Sequence, residues 1–144
     1  MIYRKATEED LESISSIEQR VMTMAWTYQS FAEALSQNYT LFYVCEIDGI
    51  IAGYGIFYLM PPEAELPDIV VAEEFRRQGI ARGLLEILLA KAKEAGVSDV
   101  FLEVRINNES AEKLYRSFGF EETGIRKNFY RDPVEDARCM HLSM

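Results

Sequence analysis

One histidine, one tryptophan, two cysteines and four prolines in 144 residues leave little material for several kinds of chemistry. Cys45 and Cys139 have no metal-type spacing and no base or ligand beside them in sequence, so neither a zinc cluster nor a thiol nucleophile is supported, and buried thiols are expected. His141 alternates within Arg138-Cys139-Met140-His141-Leu142 as an ordinary strand residue. No apolar run approaches the roughly 20 residues that span a bilayer, and Met1-Ile2-Tyr3-Arg4-Lys5 leads into polar sequence rather than a signal-peptide hydrophobic region. The expectation is a soluble cytoplasmic protein with no membrane partner. Cations are scarce as well: 15 Lys and Arg against 24 Asp and Glu give a formal net charge of −9, which repels nucleic acid and favours a basic partner. Low-complexity tracts and internal repeats are absent, and the length suits one domain over residues 1–144.

What is present reads as alternating strands and helices. Ile2 to Lys5 is a strand, and Thr7-Glu8-Glu9-Asp10 opens a helix with Leu11, Ile14, Ile17 and Val21 on one face. Thr27 caps a second helix over Tyr28 to Gln37. Leu41 to Ile47 and Ile50 to Met60 are strands joined at Asp48-Gly49, a hairpin signal. A strand over Leu66 to Val71 has Pro67 near its start, which predicts an edge, a bulge or a splayed register there. Gly79 to Gly96 is a helix, Asp99 to Val104 a nearly continuous apolar strand, and Asn108 to Phe118 a helix ended by Gly119. Phe120 to Arg126 and Ala137 to Leu142 close the chain as strands. The order β-α-α-β-β-β-α-β-α-β-β predicts an α/β (α+β) fold, a mixed and mostly antiparallel sheet of about seven strands with about four helices.

The most informative stretch is Arg76-Arg77-Gln78-Gly79-Ile80-Ala81-Arg82-Gly83, between a strand and a helix. A helix N-terminus already carries about half a positive charge, so three arginines there cost stability unless an anion is present. Free backbone N–H groups, a glycine and flanking guanidiniums make a diphosphate cradle. The alternative is a solvated basic turn, but an acidic chain that concentrates its few cations against the helix dipole needs a cause. Neither a Walker loop nor a dinucleotide-binding glycine pattern is present.

The pattern [QR]-x-x-G-x-[GA], met by Arg76, Gly79 and Ala81, resembles the acetyl-CoA loop of the GCN5-related N-acetyltransferases, the GNAT superfamily. So does Asn108-x-x-Ala111-x-x-Leu114-Tyr115-x-x-x-Gly119-Phe120 downstream. The resemblance implies the GNAT fold and acetyl-CoA as cosubstrate, with no metal. It implies backbone contacts to the pantetheine arm from Ile69, Val70 and Val71, diphosphate contacts along Arg76, Arg77, Gln78, Gly79, Ile80, Ala81 and Arg82, and a contact from Asn108. A thioester oxyanion would meet a backbone N–H near Val70 or Val71.

Glu103 interrupts Val100-Phe101-Leu102-Glu103-Val104, so a carboxylate is expected among buried neighbours, with its pKa raised by burial. Position alone leaves two readings open, a general base for amine acylation or an ion pair with Arg105 or Arg126; the resemblance implies the base. Tyr115 lies on an apolar helix stripe and reads as a core aromatic by spacing, while the resemblance implies the general acid that protonates the departing thiolate.

An α-amine, with pKa ~8 against ~10.4 for lysine, is the easier nucleophile near neutrality. Over nearly the full length, Ile17-Glu18-Gln19, Trp26, Leu102-Glu103-Val104-Arg105 and Arg126-Lys127-Asn128-Phe129-Tyr130 resemble the bacterial ribosomal-protein alanine N-acetyltransferases (RimI). That resemblance implies a basic protein N-terminus as acceptor, from a small-subunit ribosomal protein. Trp26 and Tyr130 are expected as walls of the acceptor groove or as core, and Asp68, with Glu18, as a contact for a cationic peptide or as a solvated acid. Two other functions stay open: acetylation of a small amine, such as a polyamine, amino acid or antibiotic, and a non-catalytic acyl-CoA-binding module.

Overall fold

Strands and helices alternate along the chain because hydrophobic periodicity switches between two and 3.6 residues at each turn signal. The computed structural model describes residues 1–144. The strands are β1 (Ile2–Lys5), β2 (Thr40–Ile47), β3 (Ile50–Met60), β4 (Glu63–Val71), β5 (Asp99–Arg105), β6 (Glu121–Tyr130) and β7 (Glu135–Ser143). The helices are α1 (Leu11–Val21), α2 (Tyr28–Ser36), α3 (Ile80–Glu94) and α4 (Glu109–Ser117), and one-turn 3₁₀ segments precede α1 and α3. The seven strands form one sheet in the order β1-β2-β3-β4-β5-β7-β6, antiparallel throughout except for β4 against β5. The predicted order of elements holds along the whole chain.

Local chemistry sets the boundaries. Asp48 (φ 50°) and Gly49 (φ 78°) both take the left-handed conformation that a two-residue hairpin requires, and they join β2 to β3. Thr27 accepts a hydrogen bond from the Ser30 N–H at 3.1 Å and starts α2, and the Asn108 side chain does the same for α4 through the Ala111 N–H at 3.2 Å.

α3 and α4 cover one face of the sheet. Leu84, Leu85, Leu88 and Ala92 pack there with Leu102, Val104, Tyr115, Phe120 and Met140. Gly53 and Gly55 allow that approach, since a Cβ on Gly53 would come 3.2 Å from Ile80 Cγ2 and one on Gly55 would come 2.8 Å from Leu88 Cδ1. α1 and α2 cover the opposite face, where Ile14, Ile17 and Phe31 meet Val44, Tyr54, Ile56 and Val70. That second layer stops at β4. The outer face of β5, β7 and β6 is left open, which is why β6 is exposed along almost its whole length.

Candidate functional site

The sheet opens at its centre. β4 and β5 pair only from Glu63 to Glu65 against Asp99 to Phe101. One residue later β4 bulges: Ile56 faces Asp68 but Tyr58 faces Glu65, so Leu66 and Pro67 together oppose Phe57. The irregularity foreseen at Pro67 therefore sits where β4 leaves β5, and Leu66 to Val71 have no strand on their β5 side. The Ala72 N–H donates to the Ala52 carbonyl at 2.8 Å on the β3 side. Because strand N–H groups alternate in direction, those of Ile69 and Val71 point into the opening.

The basic turn lies at one mouth of that opening. Arg77 (φ 66°) and Gly79 (φ 77°) are both left-handed, which curls the segment so that successive N–H groups face one side. The first bond of α3 runs from the Gly83 N–H to the Gly79 carbonyl, leaving the N–H groups of Ile80, Ala81 and Arg82 without a helical partner, and Gly79 has no side chain to cap them. Arg76, Arg77 and Gln78 are exposed. No carboxylate pairs with Arg76, Arg77 or Arg82, although seven other basic residues of the chain have such partners. Arg82 leans away toward α4, donating to Ser117 Oγ at 2.9 Å with its guanidinium 5.0 Å from the Phe118 ring centroid. Asn108 spends its carbonyl oxygen on the α4 cap. Together these groups place free N–H groups and guanidiniums without carboxylate partners where an anion could be received, with the open edge of β4 leading inward from them.

At the inner end the structure corrects the expectation for Glu103. β5 buries Leu102 and Val104 against α3 and α4, while Phe101 and Glu103 point to the uncovered face, so Glu103 keeps 36% of its side chain exposed. The apolar run around it is buried on one side only, so the carboxylate is not enclosed among buried neighbours. Its nearest cation is Arg126, at 4.0 Å. Tyr130, at the end of β6, lies close to Glu103, and its pKa is pushed up to about 12 by burial first and then by the Glu103 charge. Tyr115 comes from the other face. It is 6% exposed, packs on Phe120 at 5.7 Å, and burial, followed by the charge of Asp68, raises its pKa.

Trp26 packs on Phe31 (5.2 Å) and stacks on Tyr58 (6.5 Å), so its ring belongs to the second core layer while its edge lines a surface hollow with Tyr39 and Tyr58. Glu18 and Asp68 are both buried rather than solvated. Glu18 is fully enclosed, with Oε1 accepting from the Tyr54 hydroxyl at 2.7 Å and Oε2 from the Trp26 N–H at 2.9 Å. The signal was in the helix periodicity: Glu18 lies four residues after Ile14 and three before Val21, on the apolar stripe itself. Arg105, one of the two arginines expected as an ion-pair partner for Glu103, is engaged elsewhere. It ion-pairs with Glu135 at 3.0 Å, donates to the Arg131 and Pro133 carbonyls and to Thr23 Oγ1, and lies 4.5 Å over the Tyr130 ring. It fixes the β6–β7 turn against the loop that follows α1.

Comparison with known proteins agrees with this geometry. Residues 7–120 match the model of the acetyltransferase (GNAT) family. The ribosomal protein bS18-alanine N-acetyltransferase of Escherichia coli (strain K12) is 38% identical over 135 residues, covering 92% of this chain and 90% of its own length. An N-alpha-acetyltransferase of Sulfurisphaera tokodaii is 31% identical over 150 aligned residues, covering 95% of this chain and 89% of its own. The crystal structure of the Escherichia coli ribosomal-protein-S18-alanine N-acetyltransferase superposes with a TM-score of 0.91 at 35% identity, over 99% of this chain and 92% of that one. No helix is long and apolar enough to cross a membrane, and no group of three or more His, Cys, Asp or Glu residues could hold a metal ion.

Proposed function

The chain belongs to the acetyltransferase (GNAT) family, and we propose that it acetylates the α-amine of a protein N-terminus, specifically the N-terminal alanine of a small-subunit ribosomal protein. It is an N-acetyltransferase that draws its acetyl group from acetyl-CoA. A ribosomal acceptor would place it in the cytoplasm.

The carrying observation is the opening between β4 and β5, with an anion receptor at one mouth and a cluster of carboxylates and phenols at the other. Arg76, Arg77 and the N–H groups from Gln78 to Arg82 hold the diphosphate of the donor, and Asn108 meets the same molecule from α4. Ile69, Val70 and Val71 offer backbone groups to the pantetheine arm in place of the missing β5 strand. The Val71 N–H stands ready for the thioester oxygen as it gains charge. Glu103 takes a proton from the attacking nitrogen, and its place on the open face gives that proton a path to water. Tyr115 delivers a proton to the leaving thiolate from the opposite face. A phenol, of pKa ~10 before burial raises it further, can serve a thiol near ~8.5 only when it is held in place, and packing on Phe120 holds it. Tyr130 and the segment at Trp26 wall the acceptor, whose positive charge meets Glu103 and Asp68.

Steady-state turnover tests the reading. A basic peptide beginning with alanine should be acetylated with far higher kcat/KM than polyamines, free amino acids or the same peptide blocked at its N-terminus. Preference for a small amine over that peptide would contradict it.

A further inference from the structure

Three carboxyl groups are buried in this protein, and two are accounted for. Asp10 receives a forked pair of hydrogen bonds from Arg4 at 2.8 and 2.9 Å, and Glu18 receives the Tyr54 hydroxyl and the Trp26 N–H. Asp68 is not. It is 6% exposed, its Oδ2 has no hydrogen-bond partner, and its carboxyl contacts that of Glu18. The groups facing it are Glu18 from α1, Tyr54 and Tyr58 from β3, and Tyr115 from α4; no lysine, arginine or histidine is among them. Across the opening stand Glu103 and Tyr130. An unpaired buried carboxyl beside a second one costs stability, and such a cost persists where a site needs it.

Its position supplies the need. Asp68 belongs to the stretch of β4 that has lost its β5 neighbour. The Tyr115 hydroxyl, on a residue 6% exposed, reaches the same opening from the other face without a protein hydrogen bond. An unpartnered carboxyl oxygen and a phenol from opposite layers of the sheet thus approach one place.

Proton counting shows what they can do. An acceptor that arrives as an ammonium must lose two protons to become an amide, and the thiolate takes up only one. We propose that the Asp68–Glu18 carboxyl pair accepts the first of these protons, converting the bound α-ammonium to the neutral amine before attack. This rests on the reading of the protein as an α-amine acetyltransferase. The ledger closes. The ammonium passes one proton to Asp68, and its freed electron pair forms the N–C bond as the C–S bond breaks. The nitrogen then gives a second proton to Glu103, and the thiolate takes the Tyr115 phenol proton. One carboxyl returns its proton to Tyr115 and the other releases its proton to water. Burial, and then the Glu18 charge, raise the Asp68 pKa, which makes its carboxylate a stronger proton acceptor than an ordinary one. The arriving cation is the partner that Oδ2 lacks.

Asp68→Asn, assayed with an alanine-starting basic peptide at saturating acetyl-CoA, tests this. At pH 7 kcat/KM should fall about tenfold, since only about a tenth of an amine of pKa ~8 is neutral there. It should recover as pH rises past the acceptor's own pKa of ~8, where solution supplies the neutral amine. Acetyl-CoA affinity by calorimetry should not change. Glu18→Gln removes a like charge, lowers the pH at which Asp68 ionises, and should move the acid limb of the profile downward. Melting temperature separates a purely structural role. A carboxyl whose folded pKa is raised is favourable below its unfolded value, ~3.9, and loses that contribution as pH rises. Asp68→Asn should therefore melt higher than the parent at pH 8, with the gap closing on acidification. Wild-type turnover with an unaltered pH profile in Asp68→Asn, or destabilisation at every pH, would overturn the proposal. An unaltered chain that acetylates no α-amine would remove the parent reading as well, and that is seen before any variant is made.

Discussion

Glu103 stands on an uncovered strand face with Arg126 at 4.0 Å, within reach of water. Glu103→Gln keeps the shape and removes the proposed base, so kcat should drop on the order of 10²-fold while acetyl-CoA affinity stays unchanged. Tyr115→Phe should act in the same direction on kcat, since the hydroxyl makes no hydrogen bond whose loss would loosen α4. Full activity of Glu103→Gln across pH would remove the residue from the mechanism. The apolar neighbours of Glu103 were legible in the sequence, but their one-sidedness was not. Periodicity within a strand tells which residues share a face, and it does not tell whether a helix covers that face. Here α1 and α2 stop at β4. The converse error befell Glu18, whose charge suggested solvent although its place on the helix stripe put it in the core.

At the scale of elements, the turn before α3 and the β6–β7 turn are the two devices that shape the opening. Arg77 is left-handed, a conformation that glycine adopts at no cost. Arg77→Gly thus removes a charge without disturbing the curl of the backbone. Calorimetry should show acetyl-CoA binding weakened about tenfold, the scale of one charge-assisted contact of about 1.4 kcal/mol, with the melting temperature unchanged or raised. Arg105→Ala should act on the other substrate, because its bonds to Glu135, to the Arg131 and Pro133 carbonyls and to Thr23 hold the turn beside Tyr130, the proposed acceptor wall. KM for the peptide should rise several-fold while acetyl-CoA affinity holds; equal losses for both substrates would show general unfolding instead. The order of these elements was readable because each carries its own periodicity and cap. Their ends were less so. β6 runs on to Tyr130 because it is held by β7, and a polar strand on an open face carries no hydrophobic alternation to announce it.

Taken whole, the molecule is strongly acidic, yet three of its arginines stand free of carboxylates around one turn. A field of that sign would draw the proposed basic peptide toward the open face, where Glu63, Glu65 and Glu103 line one hollow with Phe101 and Ile125. Raising ionic strength from about 0.01 M to about 0.15 M shortens screening from about 30 Å to about 8 Å. KM for a basic alanine-starting peptide should then rise more steeply than KM for a neutral one, and parallel curves would show that long-range charge has no part in recognition. The proposed acetylation of a peptide's α-amine is the central matter, and mass spectrometry addresses it directly. Small-subunit ribosomal proteins from cells that contain this chain should include one whose N-terminal alanine carries an acetyl group on its α-nitrogen, located by fragmentation, and that group should vanish when the chain is deleted. Identical acetylation with and without the chain would contradict the assignment.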